Sequence, residues 1–166
     1  MRRPDHRRAG VLVALAAGVA LLVAYGSEQF LGLVPCALCL LERWPWRVAL
    51  LLGLAAALLR RPAGRLVLSL SLLVLAVSVG LGIVHVGVEQ HFWPSPLPEC
   101  AAPHLHGHTL AQILASMPAR PSKPCDAPSY LVPDLPLSMA AMNLLYSLAV
   151  LVLLATYLVR RRGGAR

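Results

Sequence analysis

Apolar residues are concentrated in four long runs, separated by segments that hold most of the arginine and proline. The runs cover about 9–25, 38–59, 66–84 and 137–159. Each is close to the roughly 20 residues with which an α-helix crosses a hydrocarbon layer about 30 Å thick. The pattern predicts an all-α membrane protein, a bundle of four transmembrane helices that forms one membrane domain over residues 1–166.

Basic residues flank these runs in a way that predicts orientation. With four crossings, both termini and the link between the second and third runs lie on the same side of the membrane. The positive-inside rule makes that side the cytoplasm. Segments 26–37 and 85–136 are then expected on the opposite side, where Arg120 and Lys123 are the only basic residues. Eleven of the 15 lysines and arginines support this orientation: Arg2, Arg3, Arg7, Arg8, Arg60, Arg61, Arg65, Arg160, Arg161, Arg162 and Arg166.

Composition agrees with a membrane protein and argues against a nucleic-acid partner. The chain is 58% hydrophobic and 13% charged, whereas soluble domains carry about 25% charged residues. The net charge is +8, and most of the basic residues that produce it flank the apolar runs. They form no basic face with interleaved aromatic residues, which nucleic-acid binding would need. A cleavable signal peptide is the alternative for the first run, but Tyr25-Gly26-Ser27 is a poor cleavage site.

Segment 85–136, which we call the long outer segment, is rich in proline, yet it contains one sequence signal for a helix. Thr109 and Gln112 have the spacing of a capping box, and an apolar stripe follows until Pro118. The stripe consists of Leu110, Ile113, Leu114 and Met117. We expect a short helix, either on the membrane surface or packed on the protein itself. Three histidines precede it, His104, His106 and His108, and they are either a metal-binding cluster or solvated loop residues.

The four cysteines carry the candidate chemistry. Cys36 and Cys39 form a C-x-x-C motif, and Cys100 and Cys125 lie in the long outer segment. Haem attachment needs a histidine after the second cysteine, where Leu40 stands. Tetrahedral zinc usually needs a second close pair, which Cys100 and Cys125 do not form. Redox exchange remains the best interpretation, with structural disulfides in a non-enzymatic scaffold as the alternative. We therefore predict that the cysteines bind no metal ion.

The position of the C-x-x-C motif favours reactive thiols beside a lipid-soluble acceptor. Pro35 suits a helix start, and a helix N-terminus stabilises a thiolate. At about 100° per residue, Cys36, Cys39 and Arg43 share one face of the second helix. A buried arginine needs a function or a partner; the alternatives to a functional Arg43 are pairing with Glu42 or reaching the headgroups. Because the chain lacks a dinucleotide fingerprint, we expect a membrane quinone as electron acceptor, with Arg43 stabilising charge on its oxygen.

The motifs resemble the DsbB family of bacterial inner-membrane disulfide-generating proteins over nearly the whole chain. Its C-x-L-C-x-x-(E/Q)-R-x-P signature is similar to the segment that runs from Cys36 to Pro45. The resemblance continues in His85-Val-Gly-Val-Glu89, in Trp93-Pro-Ser-Pro96 before Cys100, in Pro124-Cys125-Asp126 and in the approach to Asn143.

The resemblance implies a relay of electrons from the periplasm to the membrane. A reduced DsbA-like partner attacks a Cys100–Cys125 disulfide at Cys100 to form a mixed disulfide, and the electrons pass through Cys36 and Cys39 to ubiquinone or menaquinone. Cys39, Arg43, Glu42 and His85 are the expected quinone-binding residues. The protein is expected in the bacterial inner membrane with both termini cytoplasmic and segments 26–37 and 85–136 periplasmic. Four cysteines allow three pairings; we favour 36–39 with 100–125 at rest.

Three rival functions are compatible with parts of this pattern. In the vitamin K epoxide reductase-like family the quinone-side C-x-x-C comes late in the chain, whereas here it opens the second helix. A reductase that feeds electrons outward needs a cytoplasmic donor, and no cysteine is expected on that side. The third is the non-enzymatic membrane scaffold. Within the favoured function, a partner-dedicated oxidoreductase also remains open.

Overall fold

A computed structural model describes residues 6–100, 109–115, 123–132 and 135–163. Its helices are α1 (His6–Leu31), α2 (Ala37–Leu58), α3 (Arg61–Glu89), α4 (Leu110–Ala115) and α5 (Met139–Gly163), with a 3₁₀ turn at Pro98–Cys100. Across these ranges β-bridge pairing is limited to two isolated bridges, Cys36 with Lys123 and Tyr130 with Ser138. The predicted all-helical class is confirmed.

Within the described part of the chain, three helices are long and apolar enough to cross a membrane: α1, α3 and the Met139–Arg160 part of α5. Their outward side chains suit a lipid environment; Leu22 of α1 is 74% exposed and Leu153 of α5 is 70% exposed. The predicted second span forms α2, which has the required length. However, Glu42, Arg43 and Arg47 fall together in every 18-residue stretch of α2, so apolarity alone does not identify it as a span.

The helices extend beyond the apolar runs at their outer ends. α1 continues to Leu31 and α3 to Glu89, so the segments 26–37 and 85–136 that we expected outside the spans both begin as helix. The reason is that a helix ends where its backbone hydrogen bonds stop, which hydrophobicity does not fix. Gly32 ends α1 with a φ of 65°, which glycine adopts without steric cost.

Small residues let α1 and α2 approach each other closely. A Cβ atom added to Gly10 would lie 2.7 Å from the carbonyl oxygen of Gly53, and one added to Gly53 would lie 2.6 Å from the backbone nitrogen of Ala14. Membrane helices commonly pack through such small residues. α2 also packs against α3, which contacts α5. The resulting core includes Ala17, Trp46, Ala49, Leu68, Leu75 and Leu154.

Side-chain contacts join α3 to α5 at the outer end of the bundle. The Ser138 hydroxyl donates a hydrogen bond to the Glu89 carboxylate, and its oxygen accepts one from the Ala141 N–H at 3.1 Å. The Trp93 ring packs so closely on Gly87 that a Cβ atom there would clash with it. These contacts fix the outer ends of both helices beside the cysteines.

The capping box at the start of α4 is confirmed. The Gln112 N–H donates to Thr109 Oγ1 at 3.3 Å, and the Thr109 N–H donates to Gln112 Oε1 at 3.3 Å. Its position on a membrane surface remains a prediction. Met117, Pro118 and the three histidines at 104, 106 and 108 lie outside the described residues.

Candidate functional site

Cys36 and Cys39 are held together at the N-terminus of α2. Cys36 is the N-cap residue, and its sulfur accepts a hydrogen bond from the Cys39 N–H at 3.1 Å. The two Sγ atoms lie 2.8 Å apart as hydrogen-bonded free thiols. The two sulfurs are adjacent but not covalently joined in this structure, and the 36–39 disulfide that we favoured at rest stays a prediction. The favoured Cys100–Cys125 disulfide is present.

The surroundings of Cys36, which precedes α2, favour its thiolate. Its hydrogen bond with the Cys39 side chain is the largest factor that lowers the pKa of Cys36, and the Cys39 backbone N–H acts in the same direction. Burial and the Glu42 carboxyl oppose this effect. The result agrees with the general lowering of a thiol pKa at a helix N-terminus.

His85 connects Cys36 to Glu42. Its side chain is 2% exposed; Nε2 lies 3.4 Å from Cys36 Sγ, and Nδ1 lies 3.1 Å from Glu42 Oε1. When the Glu42 carboxylate is ionised it only accepts hydrogen bonds, and Nδ1 then carries the hydrogen of that contact. This fixes the ring and aims Nε2 at the thiol. His85 was expected at the quinone, but it lies against Cys36 and outside the lining of the cavity described below.

Arg43 points away from His85, towards α1. Its Nη1 forms an ion pair with Glu28 Oε2 at 2.8 Å, and its guanidinium carbon lies 4.8 Å from the centre of the Tyr25 ring. Pairing with Glu42, one alternative from the sequence, is wrong because adjacent residues point about 100° apart around a helix. Glu42 faces α3 instead, and Glu28 neutralises the arginine.

A cavity of about 490 Å³ lies between α1, α2 and α5. It is mainly apolar, and Cys39 opens onto it together with Glu42, Arg43, Trp46, Asn143 and Tyr146. Asn143 Oδ1 accepts a hydrogen bond from Trp46 Nε1 at 2.8 Å. Two buried donor atoms here lack a hydrogen-bond partner, Arg43 Nε and Asn143 Nδ2. Unsatisfied buried donors are costly, so an acceptor in the cavity would stabilise them.

The outer disulfide packs against the inner thiol pair. Cys36, Cys100 and Cys125 belong to one buried cluster that also contains Leu38 and Val88. The extended backbone of Cys36 pairs with Lys123, two residues before Cys125. On the outside, Cys100 borders a groove whose lining includes His91, Trp93, Pro98 and Asp126. Cys36 therefore lies within the cluster that contains the disulfide, and Cys39 both packs against this cluster and lines the cavity.

Sequence reasoning missed two polar residues of this site, Glu28 and Asn143, as contributors to its chemistry. Asn143 is a polar residue inside an apolar run, which is a recognised functional signal in membrane helices. Glu28 follows the first apolar run and precedes Arg43 by 15 residues. No local pattern links those two positions, because their contact depends on how α1 crosses α2.

These features define a class of protein: a helical membrane protein whose thiol pair, Cys36 and Cys39, lies between a disulfide and an apolar cavity. The sequence model of the family described as "Disulfide bond formation protein DsbB" matches residues 6–157. The chain therefore belongs to the DsbB family, as the motifs indicated, and takes part in disulfide bond formation at a membrane. The family and the three apolar helices indicate an inner-membrane oxidoreductase.

The chain also resembles a curated protein whose name states no activity. The chain is similar to "Uncharacterized protein RP370" of Rickettsia prowazekii (strain Madrid E), with 28% identity over 141 residues. The match covers 84% of this chain and 80% of the relative. No solved structure matches the chain.

Proposed function

We propose that the protein oxidises a periplasmic DsbA-like dithiol partner and passes the electrons through two cysteine pairs to a membrane quinone. One observation carries this proposal: the inner thiol pair lies between the two places that the reaction requires. Cys36 packs with the Cys100–Cys125 disulfide, while Cys39 opens onto an apolar cavity that also contains Arg43. Once the partner has reduced Cys100 and Cys125, thiol–disulfide exchange can pass two electrons to a Cys36–Cys39 disulfide, whose reduced form can then reduce a quinone in the cavity.

The outer half of the reaction begins at Cys100. This cysteine borders the outer groove, whereas Cys125 does not, which favours attack by a partner thiolate on Cys100 Sγ. The mixed disulfide then forms at Cys100, and Cys125 leaves as a thiolate. The second thiolate of the partner attacks the partner sulfur of this mixed disulfide, which closes the partner's disulfide and releases Cys100 as a thiolate. The backbone bridge between Cys36 and Lys123 keeps Cys125 near the inner pair. Since exchange needs direct approach of sulfur to sulfur, Cys125 is the better placed of the two to reduce an inner disulfide.

The inner half requires removal of two thiol protons as the inner disulfide closes. His85 Nε2 is the nearest base to Cys36, at 3.4 Å, and Glu42 on the other side of the ring lines the cavity. Cys36, His85 and Glu42 thus form a continuous route by which a proton reaches the cavity.

The cavity suits a quinone head group. Its volume falls within the roughly 300–1,000 Å³ of small-molecule sites, and its lining is mainly apolar. Arg43 Nε and Asn143 Nδ2 are buried donors without partners, and a quinone ring carries two carbonyl acceptors. A bound quinone supplies the acceptor for two electrons and two protons. Arg43 would stabilise negative charge on the nearer oxygen, and Asn143 would orient the ring.

We also propose that α2 crosses the membrane as the fourth span, with both termini cytoplasmic. Charged residues are tolerated inside a bilayer when they pair within the protein. Glu42 pairs with His85, Arg43 with Glu28, and Arg47 donates to the Tyr25 hydroxyl. The residues Arg60, Arg61 and Arg65 after α2 then lie on the cytoplasmic side. Cysteine labelling from each side of the membrane at the ends of α2 tests this topology.

Anaerobic mixing of the purified, dithiol-reduced protein with ubiquinone or menaquinone tests the reaction. We expect two quinols per fully reduced chain, one from each cysteine pair, and closed Cys36–Cys39 and Cys100–Cys125 disulfides; a chain reduced only at Cys36 and Cys39 should yield one. The Cys100→Ser/Cys125→Ser variant should still form quinol but should not oxidise a DsbA-like partner. Cys39→Ser should form none. Absence of quinol from the reduced wild type, or partner oxidation that survives loss of Cys100 and Cys125, would contradict the proposal.

A further inference from the structure

The inner thiol pair has a third potential metal ligand beside it. Cys36 Sγ, Cys39 Sγ and a ring nitrogen of His85 all lie within 4.8 Å of one another. From the sequence alone we predicted no zinc site, because Cys100 and Cys125 are too far apart in the chain to act as a second close cysteine pair. Contact with His85 from α3 removes that objection, since the third donor comes from a residue 46 positions after Cys39.

Donor type and distance both fit a tetrahedral metal ion. Zinc binds thiolate sulfur at about 2.3 Å and imidazole nitrogen at about 2.0–2.1 Å, which puts two sulfurs about 3.8 Å apart and sulfur about 3.6 Å from nitrogen. Cys36 Sγ lies 3.4 Å from His85 Nε2, close to that value. The two sulfurs, now 2.8 Å apart, have to separate by about 1 Å, which a rotation of the partly exposed Cys39 side chain can supply.

We propose that the reduced Cys36–Cys39 pair and His85 form a binding site for a soft divalent metal ion such as Zn²⁺, which is released when the pair is oxidised. Binding replaces the two thiol protons by the metal and transfers no electrons. Closure of the disulfide removes both sulfur ligands, so the bound and the oxidised states exclude each other. The ion therefore holds the pair in its reduced form.

The surroundings of the three ligands support this site. His85 Nδ1 contacts Glu42 Oε1 at 3.1 Å, the carboxylate–histidine arrangement that orients imidazole ligands in metal sites. Two thiolates balance the charge of a divalent ion, which lowers the cost of placing it among buried residues. Cys39 borders the cavity, so the fourth coordination position is accessible to water or another small ligand.

Metal titration of the purified full-length protein in detergent tests the site without quinone or partner. The protein is reduced with a phosphine and titrated with Zn²⁺ against a chromophoric chelator, and with Co²⁺ to record the tetrahedral absorption bands. We expect one ion per reduced chain and none after oxidation of the inner pair. Cys36→Ser and Cys39→Ser should abolish binding, and His85→Asn should weaken it at least about tenfold.

Two controls separate this site from other ligands. The triple variant His104→Asn/His106→Asn/His108→Asn should bind Zn²⁺ like the wild type, as should Cys100→Ser/Cys125→Ser. Should His85→Asn fail to fold, the thiolate charge-transfer absorption of Cd²⁺ in the wild type would still establish whether two sulfurs bind. Binding that persists in the oxidised protein, or that disappears with the three loop histidines, would overturn the inference. Failure here leaves the proposed quinone reaction intact, because that reaction requires no metal.

Discussion

The Nε2 atom of His85 lies 3.4 Å from Sγ of Cys36 and joins a residue of α3 to the residue that caps α2. Both side chains are buried, with exposed fractions of 2% and 4%. Because Glu42 holds the other ring nitrogen, the imidazole is positioned to accept the thiol proton. Proton removal from Cys36 therefore depends on how α3 packs against α2.

His85→Gln should slow oxidation of the inner thiol pair by quinone in a single turnover by about 100-fold or more, the usual effect of losing a general base. The rate of oxidation in this variant should then rise over the whole pH range measured, since solvent hydroxide replaces His85 as the base. Glu42→Gln, which keeps a hydrogen-bond acceptor for His85, should have a smaller effect. Stopped-flow quinol formation measures both. A wild-type pH profile in His85→Gln would exclude the proton-transfer role.

Arg43→Leu should raise the KM for quinone at least about tenfold, as expected from losing a charged hydrogen bond worth about 1.5–3 kcal/mol. Exchange between the two cysteine pairs should be unchanged. Arg47→Leu is the matched control, because Arg47 lies one turn further along α2, contacts Tyr25 and Trp44, and does not line the cavity. Equal effects of the two variants would argue against a specific contact at Arg43.

Asn143→Leu should raise the KM for quinone about two- to tenfold, in line with a neutral hydrogen bond of about 0.5–1.5 kcal/mol. The variant removes the unpaired Nδ2 donor from the cavity. Met142→Leu alters a neighbouring apolar residue of the same lining and should leave KM nearly unchanged. Steady-state quinol formation by both variants provides the comparison.

Cys36 should react with a small alkylating reagent at lower pH than an ordinary thiol, because hydrogen bonding with Cys39 lowers its pKa. In a Cys100→Ser/Cys125→Ser background with a metal chelator present, Cys39→Ala should move the midpoint of alkylation to higher pH. Cys39→Ser retains a side-chain donor and should move it less. If the alanine and serine variants coincide, the side-chain hydrogen bond is not the cause.

Gly53→Ala should destabilise the bundle by about 1–3 kcal/mol, the typical cost of overpacking, because its Cβ atom would collide with the backbone of Ala14. Gly80→Ala offers a matched control in α3, since nothing lies within 4 Å of a Cβ atom there. Alanine also has the higher helix propensity. Thermal unfolding in detergent should show a lower midpoint for the first variant alone.

Hydrophobic patterning predicted the helices well because their existence depends on long apolar runs. The helices α1 and α3 continue past the apolar runs, to Leu31 and Glu89. Those ends depend on local backbone geometry, such as the positive φ of Gly32. The capping box of Thr109 was predicted correctly because both partners lie within one helical turn.

The candidate site was predictable in its members and less so in their contacts. The C-x-x-C motif and Arg43 were identified from spacing and from the cost of charge in lipid. Glu28 as the partner of Arg43, and Cys36 as the neighbour of His85, were not, because both contacts connect different helices. A one-dimensional pattern gives the face on which a side chain lies but not the helix that packs there.

The three tryptophans of the chain are distributed so that each of the two proposed reaction partners, the quinone and the dithiol protein, would have its own optical reporter. Trp46 forms part of the cavity wall, Trp93 lines the groove beside Cys100, and Trp44 is 59% exposed. With Trp44 replaced by phenylalanine, one variant can keep only Trp46 and another only Trp93. Quenching of Trp46 would then report quinone binding, and a change in Trp93 emission would report partner docking. Native fluorescence can thus time the two half-reactions independently, without any attached dye.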